Sequence, residues 1–167
     1  MKMGEYAAGL SPEFKLIHDL AANRLKSGEH GLHGPWHWLK VAHNAERLAD
    51  QTEGADRVVA QFFGLLHDCE RITDGTDPQH GVRAAAFARA LFEEGKLPLN
   101  AKQLKLLCTA CERHDLGEVS TDPTIGVCWD ADRLELPRVG ITVDPKLLST
   151  AAGKMMLQQR SARSRVP

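Results

Sequence analysis

The stretch "FFGLLHDCERITDG", Phe62 to Gly75, decides how this chain is read. Five apolar or small residues, Phe62 to Leu66, run directly into His67 and Asp68. A run of this kind is the inner side of a buried helix. An imidazole and a carboxylate at its end are costly to bury unless something pairs with them. The stretch therefore predicts a helix over about 55–69 and places polar chemistry at its end. Beyond it, Asp74-Gly75-Thr76-Asp77-Pro78 is turn chemistry.

Working outward, the spacing predicts helices almost throughout. Ser11-Pro12-Glu13 is a start signal, a capping residue followed by proline at the first position. Phe14, Ile17, His18 and Ala21 continue at helical spacing to about Lys26. Gly28 to Gly34 reads as a loop. Pro35 opens a second helix to about Thr52, with Leu39, Ala42, Ala45 and Leu48 or Ala49 inward. A fourth helix follows from about Gln79 to Glu94, and a fifth, capped by Asn100, carries Leu104, Leu107, Cys108 and Cys111 towards His114. Pro123 opens a short helix to about Leu134, and Asp144-Pro145 starts the last. Only Val139 to Val143 has extended character. The expected class is all-α, a compact multi-helix bundle.

The 167 residues fit one domain spanning 1–167, with its core over about 31–136, an N-terminal helix over about 11–27 and a basic tail over about 160–167 read as frayed. A net charge of −1 gives no electrostatic argument for nucleic acid. No apolar run approaches the roughly 18 residues of a membrane span, and nothing resembles a signal peptide. Four cysteines in a chain this long do not make a disulfide scaffold. The expectation is a cytoplasmic protein without nucleic-acid or membrane partners. Nothing in the sequence sets the oligomeric state.

His33 and His37, His67-Asp68, His80, His114, and Asp130 with Asp132 all lie at or near helix ends beside apolar residues. Imidazole nitrogen and carboxylate oxygen suit borderline and hard divalent metals. Each residue alone reads as a satisfied core or helix-end group; the set together does not. Asp130 and Asp132, two apart on a helix, face different sides, so one site takes one of them. Cys108 and Cys111 read as small apolar packing rather than a zinc half-site. Trp36 and Trp38 read as core.

The series "HGPWHWLKVAHNAERLA", "GLLHDCER", "DPQHGVRAAAFARAL", "CERHD" and "CWDADRLEL" resembles the HD-domain metal-dependent phosphohydrolase superfamily, whose fold is an all-helical bundle. The resemblance implies metal ligands at His37, His67, Asp68 and Asp132, with Asp130 as the alternative last ligand. It implies that Asp68 orients or deprotonates the attacking water. His80 and His114 would bind a second ion or contact substrate phosphate; the absence of a doubled histidine at His114-Asp115 favours substrate contact and one ion over two. His33 belongs with these secondary positions. Arg71, four residues after His67, and Lys40 are candidate phosphate clamps. The cofactor implied is a divalent ion, among Mn2+, Fe2+, Co2+, Ni2+, Zn2+ and Mg2+. The activity implied is hydrolysis of a small phosphate ester such as a nucleotide. The alternatives are a dinuclear-iron oxygenase on the same fold and a non-catalytic ligand-sensing domain.

Overall fold

The apolar run at Phe62 lies at the centre of the molecule. In the computed structural model, which describes residues 9–26 and 31–163, the elements are α1 (Pro12–Ala22), α2 (Pro35–Ala49), α3 (Arg57–Leu66), α4 (His80–Glu93), α5 (Ala101–Arg113), α6 (Pro123–Arg133) and α7 (Ala151–Arg163). Two 3-10 turns, Leu136–Val139 and Pro145–Leu147, lie between α6 and α7. No strand occurs among the described residues.

Helix α3 packs against α1, α2, α4, α5 and α6, which is why its apolar run is buried on all sides. Phe62, Phe63, Leu65 and Leu66 are each fully buried, and burial of each contributes about 1.5–3 kcal/mol. Gly64 lets α2 approach: a Cβ there would lie 2.3 Å from the Ala42 backbone. Gly81 does the same between α4 and α5, where a Cβ would meet the Cys111 carbonyl oxygen at 2.2 Å. Any side chain at either position would push a helix pair apart.

The helix starts follow their local signals. Asp56 caps α3 by accepting from the Val58 and Val59 amides, both at 3.0 Å. Asn100 and Gln103 form a reciprocal capping box at α5. Asp122 caps α6 ahead of Pro123.

Several ends differ from the sequence expectation. Helix α1 stops at Ala22 rather than near Lys26, and α2 at Ala49 rather than Thr52. Helix α3 stops at Leu66, so His67 to Glu70 form a turn instead of a last helical turn. Asp144-Pro145 opens only a 3-10 turn, capped by the Asp144 side chain, and α7 begins six residues later. A 3-10 turn and irregular chain occupy the segment from Val139 to Val143. Nor is residue 160 the start of a frayed tail. Helix α7 continues through it, and Arg160 donates to the Leu134 carbonyl at 2.7 Å and to Asn44 Oδ1 at 2.8 Å. Residues 27–30, within the expected loop, and 164–167, the end of the expected tail, lie outside the described residues.

Candidate metal centre

Five helix ends deliver polar side chains to one point. His37 lies in the first turn of α2, His67 directly follows α3, His80 opens α4, His114 follows α5, and Asp132 lies in the last turn of α6. Asp68 sits in their midst on the tight turn after His67.

The first group surrounds Asp68 Oδ2. His37 Nε2 lies 3.3 Å from His67 Nε2, 3.2 Å from Asp132 Oδ1 and 3.5 Å from Asp68 Oδ2. His67 Nε2 lies 3.3 Å from Asp68 Oδ2 and 3.5 Å from Asp132 Oδ1. His33 Nδ1 meets Asp68 Oδ2 at 2.9 Å. The second group surrounds Asp68 Oδ1: His80 Nε2 at 3.1 Å, His114 Nε2 at 3.6 Å and Arg71 Nε at 2.9 Å. His80 Nε2 and His114 Nε2 are 2.9 Å apart. One carboxylate thus joins both groups.

The donor chemistry fits a cation. His67 Nδ1 faces the Phe63 and Gly64 carbonyls, His80 Nδ1 the Asp77 carbonyl and His114 Nδ1 the Cys111 carbonyl. These acceptors assign the proton to Nδ1 and aim the Nε2 lone pairs at the carboxylates and at one another. Lone pairs and carboxylate oxygens packed this closely repel unless positive charge lies among them. Ligands at about 2.0–2.1 Å from one ion stand roughly 2.9–3.4 Å apart, close to the separations around His37 and His67. The trios His33-His37-Asp68, His37-His67-Asp132 and His67-Asp68-His114 each have ligand atoms near enough to hold a metal ion.

The ionisation of the site shows the same demand. Burial opposes charge on His67, yet the Asp68 and Asp132 carboxylates overcome it and raise the imidazole to about 10. Burial likewise opposes charge on Asp68 and Asp132, and the surrounding histidines hold both well below the ordinary carboxylate range. The proton on His67 stands where a metal ion would supply charge.

Beside the cluster opens a cavity of about 450 Å3. His33, Asp68, His114, Asp132 and Arg71 form its polar side, while Leu136, Val139, Ile141 and Leu147 form an apolar wall. Arg71 reaches Asp68 through the turn, not along the helical face that the sequence predicts for it. Its Nη1 donates to the Gly75 carbonyl at 3.2 Å, and its Nη2 lies 3.5 Å from His80 Nε2.

Two expected residues lie elsewhere. Lys40 stands over the Trp36 ring, 5.3 Å from its centroid, and lines a separate cleft with His43 and Arg47. Lys40 lies about 60° round α2 from His37, and its partly exposed side chain goes out over the Trp36 ring instead of in towards the cluster. Asp130 is fully buried on the opposite side of α6, where Ser149 N, Thr150 N and Thr150 Oγ1 donate to it at 2.7, 2.8 and 2.7 Å. Trp38 is buried core and donates to the His33 carbonyl at 2.7 Å; Trp36 is half-buried. Cys108 and Cys111 are free and buried as small packing groups. Arg133 and Arg138, which line the cavity, carry no signal in the sequence that singles them out.

The chain matches the HD domain family over residues 36–138 and belongs to it. Its fold is also that of a crystal structure described as a predicted HD superfamily hydrolase from an uncultured Thermotogales bacterium. The two share 22% sequence identity at a TM-score of 0.72, over 98% of this chain and 93% of the other. No curated protein matches the sequence. Among the described residues, no helix is long and apolar enough to cross a membrane.

Proposed function

We propose that this chain is a metal-dependent phosphohydrolase of small phosphate esters, with one divalent ion held by His37, His67, Asp68 and Asp132. The observation that carries the reading is the meeting of these four side chains at the edge of a cavity that also presents Arg71. When bound, such an ion lowers the pKa of water towards ~7 and polarises a phosphoryl oxygen.

The chain's own residues supply the rest. Asp68 turns Oδ2 to the His37–His67 side and Oδ1 to Arg71, His80 and His114, so it can hold the ion and orient an attacking water by accepting a hydrogen bond from it. His80 and His114, held by backbone carbonyls, offer Nε2 to a phosphate oxygen when protonated. Arg71 fixes Asp68 Oδ1 and presents a guanidinium edge to an anion. The apolar wall excludes water from one side of the substrate.

A single ion is favoured because Arg71 already places positive charge against Asp68 Oδ1 and beside His80. The second reading, two ions, draws on the close grouping of His80, His114 and Asp68 Oδ1. It is also the arrangement a dinuclear oxygenase would need. Metal content of wild type, His80→Ala and His114→Ala separates the readings: one ion throughout is expected, and loss of an ion from either variant overturns the single-ion assignment. Hydrolysis of a panel of nucleotides and aryl phosphates should stop on chelation and return with Mn2+, Co2+, Ni2+ or Mg2+. No turnover with any of them sinks the hydrolase reading and leaves the oxygenase and sensing alternatives.

A further inference from the structure

The proposed chemistry uses Arg71 but leaves Arg138 without a task. Arg138 stands on the 3-10 turn Leu136–Val139, at the edge of the same cavity. Several other arginines are ion-paired, as Arg83 is with Asp77, Arg89 with Glu112 and Arg113 with Glu118. Arg138 has no ion pair among the described residues. Its Nε is buried without a hydrogen-bond partner. Its Nη2 lies 3.4 Å from His33 Nδ1, on the ring that also meets Asp68.

Arg133 repeats the pattern five residues earlier. It is only 6% exposed, and it lines the cavity as well. Its Nη1 donates to the Leu147 carbonyl at 2.5 Å, while its Nη2 is buried without a partner. Buried guanidinium donors normally find acceptors. Here the neighbouring wall of Leu136, Val139, Ile141 and Leu147 offers apolar side chains. Carboxylates line the same cavity at Asp74, Asp115 and Asp132, yet none of them pairs with Arg138, so its guanidinium is available to an anionic ligand, and a planar guanidinium matches the oxygens of a phosphate.

We propose that Arg138, backed by Arg133, reads the substrate's phosphate, and that the substrate is a phosphate monoester whose organic group lies along the wall of Leu136, Val139, Ile141 and Leu147. The inference rests on the phosphohydrolase reading and names its substrate class. A monoester offers three non-bridging oxygens, enough to be shared between Arg71, Arg138 and the His/Asp cluster; a diester offers two. A second phosphate further along the substrate would meet the apolar wall or the Asp74 and Asp115 carboxylates.

The test is calorimetric titration of inorganic phosphate into the metal-loaded protein, wild type against Arg138→Gln and Arg138→Lys. The Gln variant should bind phosphate about tenfold more weakly or worse, the scale of one lost charge-assisted hydrogen bond. The Lys variant should recover part of that loss, and metal content should be equal in all three. With an aryl monophosphate, KM should rise more than kcat falls. Equal phosphate affinity in wild type and Arg138→Gln, or a wild type that binds no phosphate, overturns the proposal. Should the Gln variant fail to fold, the Lys variant decides, since it keeps the charge but loses the fork; unchanged affinity there also overturns it. A wild type that binds phosphate through Arg138 yet cleaves no ester refutes the hydrolase reading, and with it the monoester substrate, and leaves only the phosphate contact of Arg138 standing.

Discussion

Asp130 and Asp132 stand two residues apart on α6 and meet opposite surroundings. Asp130 turns towards the start of α7, where two backbone amides and a hydroxyl donate to it. Asp132 turns to the His37 and His67 rings at the cavity edge. Burial raises the pKa of Asp130, only partly offset by those neutral donors. Burial acts the same way on Asp132, but the two imidazoles win and lower it well below the usual value. A carboxylate answered by N–H and O–H groups ties the chain together; one answered by imidazoles is prepared for a cation.

The largest effect expected from this contrast is on metal. Asp132→Ala should lose the bound ion, and turnover should drop by at least about a hundredfold, since even groups behind the ligands cost 10–100-fold. Elemental analysis and phosphatase assays would check this, and a fully loaded variant would break the comparison. Asp130→Ala should keep its metal but lose about 3 kcal/mol of stability, because three buried donors are left without an acceptor. Denaturant melts measure that loss; unchanged stability with lost metal would reverse the two roles.

A further effect comes through protons. The His67 pKa is raised from 6.5 to about 10 in the folded metal-free protein. Its stabilisation is complete below the unfolded value of 6.5 and is lost as pH rises through the folded value of about 10. Metal-free protein should therefore weaken steadily over that range. In loaded protein the ion replaces the proton, so this dependence disappears and metal uptake at pH 8 should release about one proton. Titration calorimetry in buffers of different ionisation enthalpy counts it; no release would mean that His67 is neutral before metal arrives. The two aspartates should oppose each other at acid pH. Stabilisation through Asp132 is present above the ordinary carboxylate range and lost as pH falls through its lowered pKa. The contribution of Asp130 instead declines as pH rises from 3.8 through its raised one. Denaturation of Asp130→Asn and Asp132→Asn against wild type across that range would separate them.

The smallest effect is expected on α2, where the same contrast recurs. His37 faces the cluster and Lys40 a separate cleft. Lys40→Ala should leave metal content and turnover unchanged, and stability within about 0.5 kcal/mol. A tenfold loss of turnover would bring Lys40 back to the substrate.

Local chemistry was enough for much of this. The Phe62–Leu66 run, the Leu39-Ala42-Ala45-Leu48 stripe, the cap at Asn100 and the first-position proline at Pro123 announce helices, because each depends on neighbours within a turn or two. The ordered histidines and aspartates named the candidate ligands, and periodicity separated Asp130 from Asp132. Which of that pair looks inward was not in the periodicity. It depends on where α7 packs, and α7 itself starts later than Asp144-Pro145 signals, since a proline after a capping aspartate serves a 3-10 turn equally well. The end of α3 was misjudged for a related reason: the His67 ring takes up the Phe63 and Gly64 carbonyls, and the chain turns there. Arg138 lies on a single 3-10 turn, too short to show a period, and its place beside His33 is a contact across 105 residues. Contacts of that range arise only when the helices have packed, so the tertiary structure alone put a guanidinium without an ion pair next to the cluster.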